Sequence, residues 1–237
     1  MHDIYRKRLE SVATDLEWLD SEVMFFGAGV LPLYLDEERV AAEGLRPTDD
    51  VDTLLTLRNT ESRSVRVLVD TIEAKLRKHS WKHDTRPHRR NPYAYLSPNQ
   101  IAVDFVFDQL CPADDRVVLA RHTAELHELP SGRTIRIPTP ALFLVCKAEA
   151  SRNPKRWEGA YDSHDIEDIA LLMAGCTRLE PSVEASPDNA RDYLRNWARE
   201  LRDGESEYGQ QALACLEGNW PRGVDIAAMD RLLAVLA

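Results

Sequence analysis

This sequence has no closely spaced cysteines. Cys111, Cys146, Cys176 and Cys215 stand at least 30 residues apart, and no C-x-x-C occurs. That spacing argues against a zinc ribbon or a dithiol redox motif. Reduced thiols in a cytoplasmic protein are the expectation. Long apolar runs are also missing. The longest, Val23 to Leu35, is too short to cross a bilayer and is interrupted by glycines and a proline. No apolar segment follows the charged N-terminus, so neither a signal peptide nor a membrane partner is expected. Aromatics make up 7% of the chain, and positive charge is in deficit, with a net charge of −10. Such a chain cannot coat nucleic acid over its whole surface.

What remains is ordinary for a globular protein. The 237 residues, 43% hydrophobic and 30% charged, suffice for a core without disulfide or metal staples. Positive charge is concentrated locally. Between Lys75 and Arg90 stand Lys75, Arg77, Lys78, Lys82, Arg86, Arg89 and Arg90, with His79, His83, His88 and one acid, Asp84. Trp81, Tyr93 and Tyr95 lie in or just after this run. It reads either as a solvated face or as a local polyanion contact.

The apolar periodicity predicts an amphipathic helix over 3–20, with Ile4, Leu9, Val12, Leu16 and Leu19 inward. A short strand over Val23–Phe26 ends at Gly27-Ala28-Gly29. Val30–Leu35 opens the next helix, with Pro32 in its first turn. The stretch Asp36–Glu43 is charged helix or loop. Further strands are expected at Val51–Leu55, Tyr93–Leu96 and Ile101–Phe107, the last two joined through Ser97-Pro98-Asn99-Gln100 as a hairpin. Helical spacing covers Ser62–Ser80. Glu125–Leu129 and Thr134–Ile137 form a second hairpin. From Thr139 the pattern turns helical: 140–150, Asp165–Ala174, a linker punctuated by Pro181 and Pro187, then Asn189–Leu201, Glu207–Leu216 and Asp225–Leu236. The plan is an α/β (α+β) part over 1–138, a small mixed sheet flanked by helices, and a helical part over 139–237.

The chemistry centres on Arg46-Pro47-Thr48-Asp49-Asp50-Val51-Asp52. In a strand, Asp50 and Asp52 share one face. Two adjacent carboxylates call for a cation between them, and Mg²⁺ takes carboxylate and phosphate oxygens. The same pair also reads as turn or capping residues ahead of a strand. Asp104 lies mid-strand among Ile101, Val103, Phe105 and Phe107, where Asp is disfavoured. It is either a functional residue or a solvent-facing edge position. His79 and His83 have i, i+4 spacing but no third ligand in register, so zinc is not argued.

Taken in order, Gly27-Ala28, Asp50-Val51-Asp52 and Ile101-Ala102-Val103-Asp104-Phe105 resemble the DNA-polymerase-β-like nucleotidyltransferase superfamily. Lys147-Ala148-Glu149-Ala150 and His164-Asp165-Ile166-Glu167-Asp168-Ile169 are similar to that superfamily's later signature. The Arg46-x-Thr48-x-Asp50-x-Asp52 context resembles its minimal and AbiEii/MenT-like toxin branches. The resemblance covers roughly residues 20–175 and implies a nucleotidyltransferase core fold. It implies transfer of an NMP from an NTP to a hydroxyl acceptor, with tRNA or another RNA end foremost. Asp50, Asp52 and Asp104 would hold Mg²⁺. Gly27, Ala28 and Gly29 would cradle the triphosphate, with Arg46, Thr48 and Lys147 as further nucleotide contacts. Asp165 would position Lys147 or the acceptor, and Lys75–Arg90 would contact RNA. A cognate antitoxin is an implied partner. Two departures, Ala28 in the turn and His164 before Asp165 where Lys or Arg is usual, keep a catalytically degenerate nucleotide-binding or interaction module as an alternative. Small-molecule modification of the aminoglycoside type, with a cationic acceptor drawn to an acidic protein, is another.

Overall fold

The computed structural model describes residues 2–36, 48, 50–55, 65–86, 91–107, 124–159, 162–221 and 226–236. Arg46, Asp49, Cys111 and Tyr161, most of 36–43, and positions 87–90 of the basic run lie outside these. The chain divides into two compact units. One is Met1–Val30 with Pro47–Pro138; the other is Leu31–Arg46 with Thr139–Ala237.

The first unit opens with helix α1, His2–Asp15. Its buried stripe is Tyr5, Leu9, Val12 and Leu16, whereas Ile4 is 55% exposed. The expected apolar face therefore begins one residue later, since Tyr5 at i−4 from Leu9 fits the helical period and Ile4 does not. A 3₁₀ turn over Glu17–Glu22 carries buried Leu19 inward. It leads into strand β1, Val23–Phe26.

Strand β2 is Asp50–Leu55 and helix α2 is Val65–Lys78. Strands β3 (Lys82–His83), β4 (Ala94–Leu96) and β5 (Ala102–Phe107) follow. They form one sheet in the order β1-β2-β5-β4-β3. Among the described strands of this sheet, only β2 and β5 run parallel. A parallel pair needs a long crossover, here the stretch containing α2, and this makes the sheet mixed. One face of β2 and β5 carries Val51, Thr53, Leu55, Val103, Phe105 and Phe107, all buried. Trp81, Tyr95 and Tyr93 complete that core, with Trp81 and Tyr95 against Phe105 and Tyr93 against Phe107. The opposite face carries the acids. Strands β6 (Ala124–Glu128) and β7 (Thr134–Pro138) form the expected second hairpin. It turns through Gly132 at φ +81°.

In the second unit, helix α3 is Pro140–Ser151. Thr139 caps it, its hydroxyl accepting from the Leu142 amide, and Pro140 occupies the first helical position, where its missing N–H costs nothing. Helix α4, His164–Gly175, is charged in its first turns and apolar from Ile169 on, and nearly all of it is buried. The segment containing Pro181 is not a linker. Leu179–Glu184 forms a short helix, α5, with the proline in its first turn. Helix α6, Asp188–Asp203, buries Ala190, Leu194, Trp197, Ala198 and Leu201 and ends at Gly204, φ +62°. Helices α7 (Glu207–Gly218) and α8 (Ala227–Leu236) complete the unit. A β-carbon at Gly209 would stand 2.4 Å from the Glu200 carbonyl oxygen, so α6 and α7 approach closely there. No described helix is long and apolar enough to cross a membrane.

Candidate functional site

The parallel pairing of β2 with β5 sets the first cluster. Asp52 is the direct register partner of Asp104, and Asp50 pairs with Ala102 two positions earlier. Residues at the same register point of adjacent strands present side chains to the same face, as do i and i+2 within one strand. Asp50, Asp52 and Asp104 therefore share the face opposite the aromatic core. All three are partly exposed, between buried Val51, Thr53, Val103 and Phe105. β5 lies inside the sheet, so Asp104 is not an edge residue.

Neighbouring residues hold this arrangement. The Thr48 hydroxyl donates to Asp50 Oδ1 at 2.7 Å, and the Arg8 guanidinium donates to the Thr48 carbonyl. Phe26, the last residue of β1, is the register partner of Asp52. The next residue, Gly27, turns the chain at φ +72°. A β-carbon there would lie 1.9 Å from Asp52 Oδ2. Only glycine fits both the backbone conformation and the space beside this carboxylate. Gly29 is different: its added β-carbon would meet only the Asp50 carbonyl oxygen, at 3.8 Å. Ala28 begins a 3₁₀ helix, Ala28–Leu33, with Pro32 near its end rather than in its first turn. Two histidines of the basic run have neighbours of their own. His79 stacks on Trp18, and the His83 ring hydrogen-bonds the Pro92 carbonyl at 2.7 Å.

The second unit contains a separate charged cluster. Lys147, on α3, is buried, and its Nζ lies 3.0 Å from Asp165 Oδ1 and 2.6 Å from Asp168 Oδ2, both on α4. Arg156 closes the cluster from the 3₁₀ turn Pro154–Arg156. Its Nε donates to Asp165 Oδ2 at 2.5 Å and its Nη2 to Oδ1 at 3.0 Å. Burial alone would lower the Lys147 pKa, but Asp168 and then Asp165 reverse this and raise it. Burial would raise Asp165, but the Arg156 hydrogen bonds and the Lys147 charge hold it below the usual carboxylate range. Lys147, Asp165 and Asp168 are buried and Arg156 reaches them from the surface, so two cations compensate two carboxylates, as buried charges require. Sequence reasoning missed Arg156; its signal was a basic residue just before a tight hairpin, β8 (Trp157–Gly159) with β9 (Asp162–Ser163). Arg156 places on Asp165 the guanidinium that the residue before it, His164, lacks.

His164 instead belongs to a third group. Its Nδ1 lies 3.0 Å from Glu167 Oε2, and ligand atoms of Asp162, His164 and Glu167 all fall within 4.8 Å of one another. These residues surround the N-terminus of α4, where carboxylates complement the helix dipole and a cation is disfavoured. Burial pushes the nearby Cys215 thiol up, and the Glu167 and Asp162 charges push it the same way.

No protein-family model matches this sequence, and no curated protein does. The structure of an antigenic nucleotidyltransferase-like protein from Paracoccidioides brasiliensis is similar to it, with a TM-score of 0.54 and 16% identity over 96% of this chain and 97% of that one. The chain has a nucleotidyltransferase-like fold.

Proposed function

We propose that this protein is a Mg²⁺-dependent nucleotidyltransferase that moves an NMP from an NTP to a hydroxyl acceptor and releases pyrophosphate. One observation carries the reading: Asp50, Asp52 and Asp104 occupy one face of two adjacent parallel strands, with Asp52 and Asp104 in direct register. Three acids so close repel one another unless a cation joins them, and their all-oxygen donor set suits Mg²⁺. The glycine that a β-carbon would drive into Asp52 supports the same reading, because it keeps that carboxylate's space clear. Asp50, Asp52 and Asp104 would hold the ion, which when bound neutralises charge on the triphosphate and lowers the pKa of an attacking hydroxyl.

The chain's own residues supply the rest. Thr48 fixes the Asp50 carboxylate by hydrogen bond. Backbone amides at Gly27, Ala28 and Gly29 begin a helical turn and are oriented toward anions by that geometry. Asp104 accepts the acceptor hydroxyl's proton. The acceptor oxygen then bonds to the α-phosphorus as the bond to the bridging oxygen breaks, and pyrophosphate leaves. Such transfer depends on positioning and charge more than on covalent help. An RNA end as acceptor, and kinship with AbiEii/MenT-like toxins that would bring an antitoxin partner, are the finer parts of the proposal. They rest on the Thr48-x-Asp50-x-Asp52 context and the basic run.

The test is incubation of the full chain with Mg²⁺, each labelled NTP and RNA. Label transfer with pyrophosphate release is expected, and Asp52→Asn abolishes it. Absence of turnover together with absence of any Mg²⁺–NTP thermal shift refutes the proposal. A shift without turnover favours the nucleotide-binding module instead.

A further inference from the structure

The hairpin of β6 and β7 leaves one edge of its backbone open. β6 pairs with β7 from Ala124–Pro138 to Glu128–Thr134 without a register shift. Just beyond, the Leu129 amide donates to the Arg133 carbonyl at 2.7 Å, which makes 129 and 133 a hydrogen-bonded pair. Such pairs alternate along an antiparallel ladder. Glu125 and His127 therefore turn their N–H and C=O groups toward β7, whereas Ala124, Leu126 and Glu128 turn theirs outward. Among the described residues, none hydrogen-bonds these outward groups. Nor is any large hydrophobic side chain among them more exposed than Leu126, at 72%.

Exposed strand edges are normally blunted by shortness, irregularity, lysine or proline. The other described edges follow this rule. β3 is two residues long and contains Lys82, and the β8–β9 pairing has a register shift. β1 is buried at Val23, Met24 and Phe25. β6 is five residues long, regular, and free of lysine and proline. Its guard is charge. Glu125 and His127 share a face with their buried β7 partners Ile137 and Ile135, and inward charges discourage a passing strand. A second copy of the same strand satisfies them. With a two-fold axis through Leu126, antiparallel pairing sets Leu126 against Leu126, Ala124 against Glu128, and Glu125 against His127. The outward groups of Leu126 then bond across the axis. Glu125 and His127 become a pair without hydrogen bonds between their backbones, where side chains stand closest. A carboxylate accepts from an imidazole N–H whether the ring is neutral or charged. An axis through Glu125 would instead set carboxylate against carboxylate, which is destabilising.

We infer that the protein forms a two-fold homodimer in which β6 pairs antiparallel with β6 of a second copy, joining the two hairpins into one sheet. The same edge serves on both copies, so the contact is isologous and closes at two. So short a pairing buries less than about 1,000 Å², which places the dimer in the weak, reversible class, with a dissociation constant of about 10–100 µM. The inference is independent of nucleotidyl transfer.

The experiment is sedimentation equilibrium of the full chain from about 5 to 500 µM, without NTP or metal, with hydrogen exchange measured at both ends of that range. A monomer–dimer equilibrium is expected, with slower exchange at high concentration in the peptide containing Leu126 and Glu128. Leu126→Asp, at an exposed position, weakens association by about tenfold or more, and its melting temperature reports that it is folded. His127→Glu sets carboxylate against carboxylate in both symmetry-related pairs and also weakens it by about tenfold or more. Glu125→Lys/His127→Glu restores opposite charges and recovers association to within about threefold of wild type. Ile4→Lys, at another exposed hydrophobic position, leaves association unchanged. A chain that stays monomeric at the highest concentration overturns the inference. So does a dimer that survives Leu126→Asp in a folded protein, a charge swap that recovers nothing, or assembly beyond two copies. Because no nucleotide is present, each of these results stands whatever the transfer assay gives.

Discussion

Gly27→Ala perturbs the central carboxylate through one methyl group. At φ +72° the backbone is left-handed, which costs a non-glycine residue about 1–2 kcal/mol. The new β-carbon would sit 1.9 Å from Asp52 Oδ2, where ordinary contact begins at 3.4 Å, so carboxylate or turn must move by the difference, about 1.5 Å. At about 2–4 °C per kcal/mol for a chain of this length, the backbone term alone lowers the melting temperature by about 2–8 °C. A displacement of that size at a reacting centre costs about 100-fold or more in turnover. Gly29→Ala is the matched control, because its β-carbon meets nothing closer than 3.8 Å. Thermal unfolding and pyrophosphate release are measured on both variants. A Gly27→Ala protein with wild-type stability and turnover refutes the reasoning, as does a Gly29→Ala protein equally impaired.

Other outcomes follow from the second unit and from the backbone. Lys147→Met leaves Asp165 and Asp168 without their shared cation and destabilises by about 3–5 kcal/mol, read by chemical denaturation. The pH profile of stability has two limbs. Asp165, with its pKa depressed from 3.8, stabilises the fold above that value and loses this as pH falls through the folded pKa; Asp165→Asn shrinks the acid limb of a melting-temperature profile. Lys147, raised from 10.5, stabilises below that value and loses this as pH rises through its folded pKa, so melting temperatures fall in strong alkali. Ser80 sits at φ +67° where α2 turns toward β3, so Ser80→Gly relieves about 1 kcal/mol and raises the melting temperature.

Local signals were legible in the sequence. Val23–Phe26, the hairpins at 94–107 and 124–138, and the Thr139-Pro140 helix start each rest on neighbours in the chain, and turn or cap chemistry fixes them. Asp50 and Asp52 were legible as a pair for the same reason. What the sequence could not display is register. Asp52 meets Asp104 through a parallel pairing across fifty residues, and no local rule sets that alignment. The two glycines looked equivalent, yet only Gly27 has the positive φ and the crowded side. Arg156 was invisible as a partner of Asp165 because a hairpin, not helical spacing, joins them. Pro181 looked like a linker residue because proline marks both loops and first helical turns.

Anomalous diffraction from crystals soaked in Mn²⁺ tests the central claim most directly, since Mn²⁺ accepts the same oxygen ligands as Mg²⁺. The account predicts a peak bounded by the carboxylates of Asp50, Asp52 and Asp104, lost in Asp52→Asn. A peak only at Asp162, His164 and Glu167, with none between the three strand aspartates, contradicts it.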